Sequence, residues 1–416
     1  GGGGGAPLRR KKNGPPHLSP SIGNIMDTRA LVLLILGHLI TDTTQGGLPT
    51  LLPLLQDSLG LTYAASGAVV MVMNLTSSVI QPLFGYLTDR FQLRWLLPVG
   101  LALSGIGFAL LGLAQSYTMV LVTVVICGLG VASYHPEAFK AVLGSAGQRK
   151  VVAVSWFMVG GNLGMGLGPL MVGAYLALWG LKGTLAYIVP GVVMAALFLA
   201  SWGRMNPVAL KEAPAQPPVE PAPWRQRLGA IGILILAVVL RSWIHSGVMT
   251  YVPFWYTHVL GGDPVEVGPL LTTFLVAGVL GTMAGAPLAE RIGPRRFFII
   301  SVLLTAPLLV WMLFSRGWWL YAAIALVGGV LISTWSTVIV MAQQILPGRA
   351  GMASGLMVGF AVGSGGVGAT VLGWVADGWG VDVALWVVAV MPLLSGLAAA
   401  FIPLKDKPLR SGKLAA

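Results

Sequence analysis

Leucine, valine, isoleucine, alanine and glycine recur along this chain in runs that leave no polar face, unlike the alternating pattern of helices that cover a soluble core. Apolar stretches of about 18 residues or more are each long enough to cross a hydrocarbon core of about 30 Å. Twelve are found, at approximately 29–54, 64–87, 95–114, 118–142, 151–177, 183–203, 228–256, 266–289, 297–314, 318–345, 351–375 and 383–403. The pattern predicts an all-α membrane protein with twelve transmembrane helices.

The polar interruptions divide these runs into two sets of six. Residues 204–227, RMNPVALKEAPAQPPVEPAPWRQR, are rich in proline and charge and read as a cytoplasmic linker between a first bundle at 29–203 and a second at 228–403. A basic, low-complexity tail (1–28) precedes the first bundle and a basic tail (404–416) follows the second; both are set outside the fold. The first span is too long for a signal-peptide core and is expected to be retained. The halves also repeat weakly. GYLTDRFQLR (85–94) follows span 2 and APLAERIGPRR (286–296) follows span 8, so Asp89 falls on Glu290 and Arg90 on Arg291. GQRKVVAVS (147–155) before span 5 matches GRAGMASG (348–355) before span 11. A parallel repeat of two six-helix bundles is a transporter architecture, with the binding site expected near the midplane between them.

Composition agrees with the pattern: 56% of residues are hydrophobic and 9% charged, against roughly a quarter charged in a soluble domain. Charge then sets the orientation. With the amino terminus inside, all of the 25 lysines and arginines fall on the inner side except Lys182 and Arg316 outside and Arg241 deep within a span. This is the distribution the positive-inside rule requires, and it predicts that both termini are cytoplasmic. The net charge of +12 is spread over every inner loop without aromatic interleaving, which fits topology and anionic lipid better than nucleic acid. The single cysteine, Cys127, lies inside the fourth span and excludes an intramolecular disulfide or a zinc thiolate cluster.

Specific motifs add a family. The loop Gly85, Leu87, Asp89, Arg90, Arg94 resembles the signature between helices 2 and 3 of the major facilitator superfamily. GHLITD (37–42), SYHPEA (133–138), VGGNLGMGLGPL (159–170) and QQILPGRAGMASGLMVGFAVGSGGVGATVLGWVAD (343–377) together resemble its fosmidomycin-resistance family of drug exporters. Gln92 stands where glycine is usual, and Glu290 where the second loop has aspartate. The resemblance implies that Asp89 accepts hydrogen bonds from the amino terminus of span 11, near Gly351, latching the cytoplasmic side shut, with Arg90, Arg94 and Arg291 pairing acids or lipid phosphate. The other reading is that these are charged turns holding topology. In span 5 Gly164, Gly168 and Pro169 resemble the pattern associated with antiporters; together with Gly363 of span 11 they serve equally well as close-packing positions.

Ionisable groups within spans mark candidate function, because a charge near the bilayer centre costs at least about 2.5–3.5 kcal/mol. At about 1.5 Å per residue, Asp42 lies about 19 Å along span 1, with His38 one turn below it. Arg241 and His245 repeat that spacing in span 7, and His135 and Glu137 flank Pro136 in span 4. The resemblance places spans 1, 4 and 7 around a central cavity. Asp42 and Glu137, with His38 and His135, are candidates for proton coupling. Arg241 is the candidate for gripping a phosphonate, phosphate or carboxylate, with His245, Tyr134, Trp243, Asn162 and Gln343 supplying cavity contacts. Two bland alternatives stand beside these: Asp42 tied to Arg241 across the halves, and Glu137 paired with Lys140. His258 and Asp263, at the outer end of span 7, read as solvated loop groups.

The expectation is a secondary active transporter of the inner (plasma) membrane, monomeric and without cofactor or metal, whose partners are protons, lipid and a small anionic or amphiphilic substrate. It would export a fosmidomycin-like compound in exchange for protons. An importer or exchanger of an organic anion is the alternative on the same fold. A metal-dependent intramembrane hydrolase using His38, Asp42, His135 and Glu137 is a remote one, since their spacing matches no motif such as HExxH.

Overall fold

A segment immersed in hydrocarbon must satisfy its own backbone hydrogen bonds, and the computed structural model is built of helices, with no strand among the described residues. Those are residues 1–2, 26–91, 93–147, 149–204, 224–346 and 350–404. The linker after 204 up to 223 and most of both tails lie outside them.

The first half holds α1 (Thr28–Leu59), α2 (Tyr63–Asn74), α3 (Gln81–Arg90), α4 (Leu96–Leu110), α5 (Tyr117–Ser145), α6 (Lys150–Trp179) and α7 (Ile188–Ala200). The second holds α8 (Trp224–Phe254), α9 (Val267–Ile292), α10 (Pro294–Phe314), α11 (Trp318–Ile332), α12 (Trp335–Ile345), α13 (Ala350–Trp379) and α14 (Val381–Ala400). Local chemistry sets the ends. Asp27 caps α1 by accepting from the amides of Arg29 and Ala30, both at 3.1 Å, and Gly60 closes it with a left-handed φ of 62°. Two predicted spans are broken: a wide turn at Leu75–Val79 separates α2 from α3, and Ser333 and Thr334 separate α11 from α12.

Among the described residues, eleven helical segments are long and apolar enough to cross a membrane. One of them, Val152–Ala200, has 49 residues, about 74 Å as a straight helix and more than twice a hydrocarbon core. It is not straight. At Gly180 the backbone takes φ 58° and ψ −151°, which glycine tolerates, and α7 folds back so that Tyr187 meets Tyr175 edge-on at 5.6 Å.

Small residues let α1 and α6 approach backbone to backbone. Gly160, Gly164 and Gly168 of α6 face the carbonyls of Ile35, Leu39 and Thr43 of α1, four against four, while Gly46 of α1 lies on the Met165 carbonyl. Between the halves, α2 packs along α13 and α6 along α9. The core shows where that union holds. At the end away from the chain termini, one continuous cluster runs from Leu48–Leu55 through Val69, Tyr251, Phe254 and Phe274 to Leu385. At the end bearing the termini there are two separate clusters, one around Leu34, Tyr134 and Phe157, the other around Leu234, Met341 and Met357. There α3 packs on α5 of its own half, and α12 on α8, α9, α10 and α13 of its own. Among the described residues the halves therefore share one core at the far end, closed, and keep separate cores at the end of the termini, where they are parted.

Candidate functional site

His38 and Asp42 share one face of α1, and α5 brings His135 against them. Nε2 of His38 lies 3.2 Å from Oδ2 of Asp42, and Nε2 of His135 lies 3.1 Å from Oδ1. Each ring is anchored through its other nitrogen: Nδ1 of His38 is 2.8 Å from the Phe157 carbonyl oxygen, and Nδ1 of His135 is 2.8 Å from that of Val131. The rings meet edge-on at 4.9 Å, and Phe157 stacks on His38 at 4.0 Å. His38 and Asp42 are 4% and 7% exposed, so two imidazoles stand beside a buried carboxylate whose Oδ1 has no hydrogen bond, a costly arrangement for an ionisable group.

Space for the cluster comes from Gly161 on α6, where an added Cβ would collide with the His38 ring and approach Asp42 Oδ2 to 2.8 Å. The role of Gly161 is invisible in a run of glycines until α1 is placed beside it. His38, Asp42 and His135 bring ligand atoms within 4.8 Å of one another, the one such grouping among the described residues compact enough to embrace a small cation.

Glu137 is not in that group. Two residues span about 200° of an α-helix, so only one of His135 and Glu137 can turn to Asp42. Glu137 is buried, 1% exposed, and Lys140 donates to Thr88 Oγ1 at 2.8 Å. Tyr134 packs inside the first bundle with its hydroxyl donating to the Leu34 carbonyl at 3.0 Å.

Arg241 lies on α8, buried, with no carboxylate partner among the described residues. Its Nε donates to Thr334 Oγ1 at 2.7 Å and its Nη2 to the Leu331 carbonyl at 3.2 Å; the guanidinium stands 5.3 Å from the Trp335 ring. It thus occupies the α11–α12 break, where the Leu331 carbonyl also accepts from the Thr334 amide at 3.4 Å and from the Thr334 hydroxyl at 2.6 Å. Asp42 pairs with histidines of its own half and is not tied to Arg241. His245, one turn along, is half-buried with its ring 5.5 Å from Phe274. Asn162 is exposed on α6 and Gln343 half-buried on α12. Trp243 points elsewhere, lining an apolar surface groove of about 380 Å³ between α8 and α14 with Leu240, Val387 and Met391.

Of the loop residues, Arg90 stacks its guanidinium 4.7 Å from the Tyr86 ring, and Glu290 and Arg291 are exposed at the end of α9. Gly85 is half-buried, 4.0 Å from Pro136 Cβ by the position an added Cβ would take. Arg94 Nε is buried without a hydrogen bond. The Asp89 side chain lies outside what is described, as do the side chains in the first turn of α13, the turn that the resemblance assigns to it. Gly363 faces Val79 across the halves.

The closed end carries a latch that sequence reasoning missed. Asp377, at the end of α13, accepts from the amides of Tyr63 at 2.7 Å and Ala64 at 3.0 Å, the first two of α2; Thr62 Oγ1 accepts from the third, that of Ala65, at 3.1 Å. An acid on one half so caps a helix of the other. Beside it, His258 Nε2 lies 3.3 Å from Asp57 Oδ1 and its Nδ1 3.3 Å from the Tyr63 hydroxyl. His258 therefore bridges the halves, where the sequence suggested a solvated loop. Both signals depend on residues distant in the chain.

Solved transporters share the architecture. The chain superposes on a bacterial homologue of the human lysosomal transporter Spinster in an inward-facing, occupied conformation, with TM-score 0.72 and 13% identity over 90% of this chain and 96% of that one. It matches the nucleoside transporter NupG with TM-score 0.73 and 14% identity over 91% and 100%. By sequence it is 33% identical to the fosmidomycin resistance protein of Escherichia coli (strain K12) over 371 residues, 88% of this chain and 91% of that one. It is also 33% identical to the uncharacterized MFS-type transporter YfnC of Bacillus subtilis (strain 168), over 91% and 94%, and 25% identical to the multidrug resistance protein MdtG of Salmonella dublin over 73% and 77%. With its two bundles of apolar helices, and a family model described as Major Facilitator Superfamily matching residues 34–268 and 234–416, the chain belongs to the major facilitator superfamily of membrane transporters.

Proposed function

We propose that this protein is a proton-coupled exporter of a small anionic or amphiphilic compound, a phosphonate of the fosmidomycin kind being the first candidate. The observation that carries the reading is the buried His38–Asp42–His135 cluster. Packing alone has no use for three titratable groups within one bundle, whereas exchange needs a carboxylate that gains and loses protons as access alternates. The names of the fosmidomycin-resistance and multidrug-resistance relatives favour drug export. Arg241, a buried cation without an acid partner among the described residues, is the group offered to an anionic substrate.

The chain crosses the inner membrane twelve times, counting α6 and α7 separately, with both termini cytoplasmic as the basic residues require. On that orientation the parted end faces the cytoplasm, and the structure is the inward-open state of a rocking cycle. Asp377 latches the outside now. Asp89 latches the inside after the halves rock over, each acid meeting the amino terminus of a helix in the other half.

Proteoliposomes holding an acidic lumen test the exchange, since protons leaving would draw fosmidomycin in. Wild type should accumulate fosmidomycin against its gradient, and Asp42→Asn should bind it without accumulating it. Accumulation driven only by an acidic exterior marks symport and rejects exchange; unaltered, pH-dependent accumulation in Asp42→Asn moves the coupling group to Glu137.

A further inference from the structure

His38, Asp42 and His135 have donor atoms of the kind that hold a metal ion. A carbonyl oxygen accepts and never donates, so the bonds to Phe157 and Val131 keep a proton on Nδ1 of each ring and leave Nε2 of the neutral imidazole a free lone pair. A backbone carbonyl behind the far nitrogen is the usual support of a metal-bound histidine. The two Nε2 atoms flank the Asp42 carboxyl group, 3.2 Å from Oδ2 and 3.1 Å from Oδ1. Yet Oδ1, on a residue only 7% exposed, has no hydrogen bond. Among the described residues no lysine or arginine pairs with Asp42. A carboxylate and two imidazole lone pairs thus share one small space in which a buried oxygen lacks a partner.

We propose that these three side chains bind one divalent transition-metal ion of the zinc class. Metal–ligand bonds of about 2.0–2.1 Å in a tetrahedron set neighbouring ligand atoms about 3.3–3.4 Å apart. The two nitrogen–oxygen separations come close to that, and the ligand atoms of all three groups lie within 4.8 Å of one another. Imidazole suits zinc, copper, iron and nickel, whereas calcium and magnesium favour oxygen ligands. Gly161 of α6 keeps the cradle free, since an added Cβ would crowd Nε2 of His38 and Oδ2 of Asp42, two of the atoms that would face the ion. The His135 side chain is 19% exposed and that of His38 5%. An ion therefore enters past His135, where water completes its fourth position. His258 and Asp57 offer two ligand groups only. The consequence for transport alone rests on the coupling reading: ion and protons would occupy the same atoms, so a bound ion arrests exchange.

The test uses the full chain in lipid nanodiscs, purified without a histidine tag, with Co²⁺ and Zn²⁺ as probes. Co²⁺ should bind once per chain and gain the intense visible absorption of a four-coordinate nitrogen and oxygen site, and Zn²⁺ should remove that absorption by displacement. Asp42→Asn and His135→Gln should each weaken zinc binding by at least about tenfold, a loss that follows removal of even a hydrogen bond behind a ligand. His17→Ala and His258→Ala should leave it unchanged. A Co²⁺ spectrum like that of the free ion, or zinc binding unaltered in both Asp42→Asn and His135→Gln, would overturn the inference. The spectrum is read on wild type, so it decides even where a variant fails to fold. In the proteoliposomes described above, Zn²⁺ at a free concentration that saturates the site should halt accumulation. Zinc bound at the three ligands with accumulation undiminished would reject the coupling reading and leave the metal site standing. Accumulation lost in Asp42→Asn, with no metal bound by wild type, would reject the metal site and leave the coupling reading standing.

Discussion

Gly161 shows how one absent side chain can hold a site open. It touches both His38 and Asp42, and a methyl group there must displace the imidazole or the carboxylate. Overpacking of this size typically costs about 1–3 kcal/mol, so Gly161→Ala should remain folded while one Asp42 contact is lost. Pump assays on that variant should show pH-driven accumulation reduced nearly as far as in Asp42→Asn; wild-type accumulation would mean that the cluster tolerates being prised apart. Arg241 presents a different choice. Its contacts with Thr334 and Leu331 also suit a purely structural role at the α11–α12 break. Lysine keeps the charge and loses the planar fork, so Arg241→Lys should weaken binding of an anionic substrate about tenfold, and Arg241→Met should nearly abolish it. Equal losses of thermal stability and no change in affinity would assign Arg241 to the break alone.

At the scale of helices, the α2–α13 pair joins the halves where the structure is closed. Asp377 satisfies two amides of α2 that would otherwise lack partners, and losing such a cap costs about 0.5–2 kcal/mol. Because that bond is made only while the far end is shut, Asp377→Ala should shift the equilibrium toward opening there by about five-fold. Spin labels placed at the ends of α2 and α13 would report the shift as a longer distance at the far end. An unchanged distribution would reduce Asp377 to a local cap. The α1–α6 contact is of a different kind: both helices belong to one half, and their glycines meet backbone at close range, so the pair is expected to stay joined as the halves rock.

For the whole molecule the decisive question is which end faces which compartment. On the proposed orientation the parted end lies in the cytoplasm and Lys182 and Arg316 outside. Single cysteines introduced at 182 and 316, in a chain whose own Cys127 is buried, should react with an impermeant reagent from the outside of intact cells. One introduced at the amino terminus should not. Labelling of position 182 only from the cytoplasmic side would reverse the map and with it the inward-open assignment.

Hydropathy sums over one segment at a time, and for that reason the apolar runs and the one-turn pairing of His38 with Asp42 are legible in the residues alone. The same local sums missed that α6 and α7 form one continuous run of helical turns bent at Gly180, and that two spans break in their middles. Contacts between segments were another matter. His135 and Glu137 stood as equal candidates until the packing of α5 on α1 turned one face toward Asp42. Tyr134 and Trp243 read as cavity groups, but the packing of their helices directs one into the first bundle and the other to the α8–α14 groove. Asp377 meets Tyr63 across 314 positions of chain, a separation at which no periodicity carries information. The apolar character of each helix was written in its own residues; which charges meet was decided by two helices at once, through shape, and only the tertiary structure contains that.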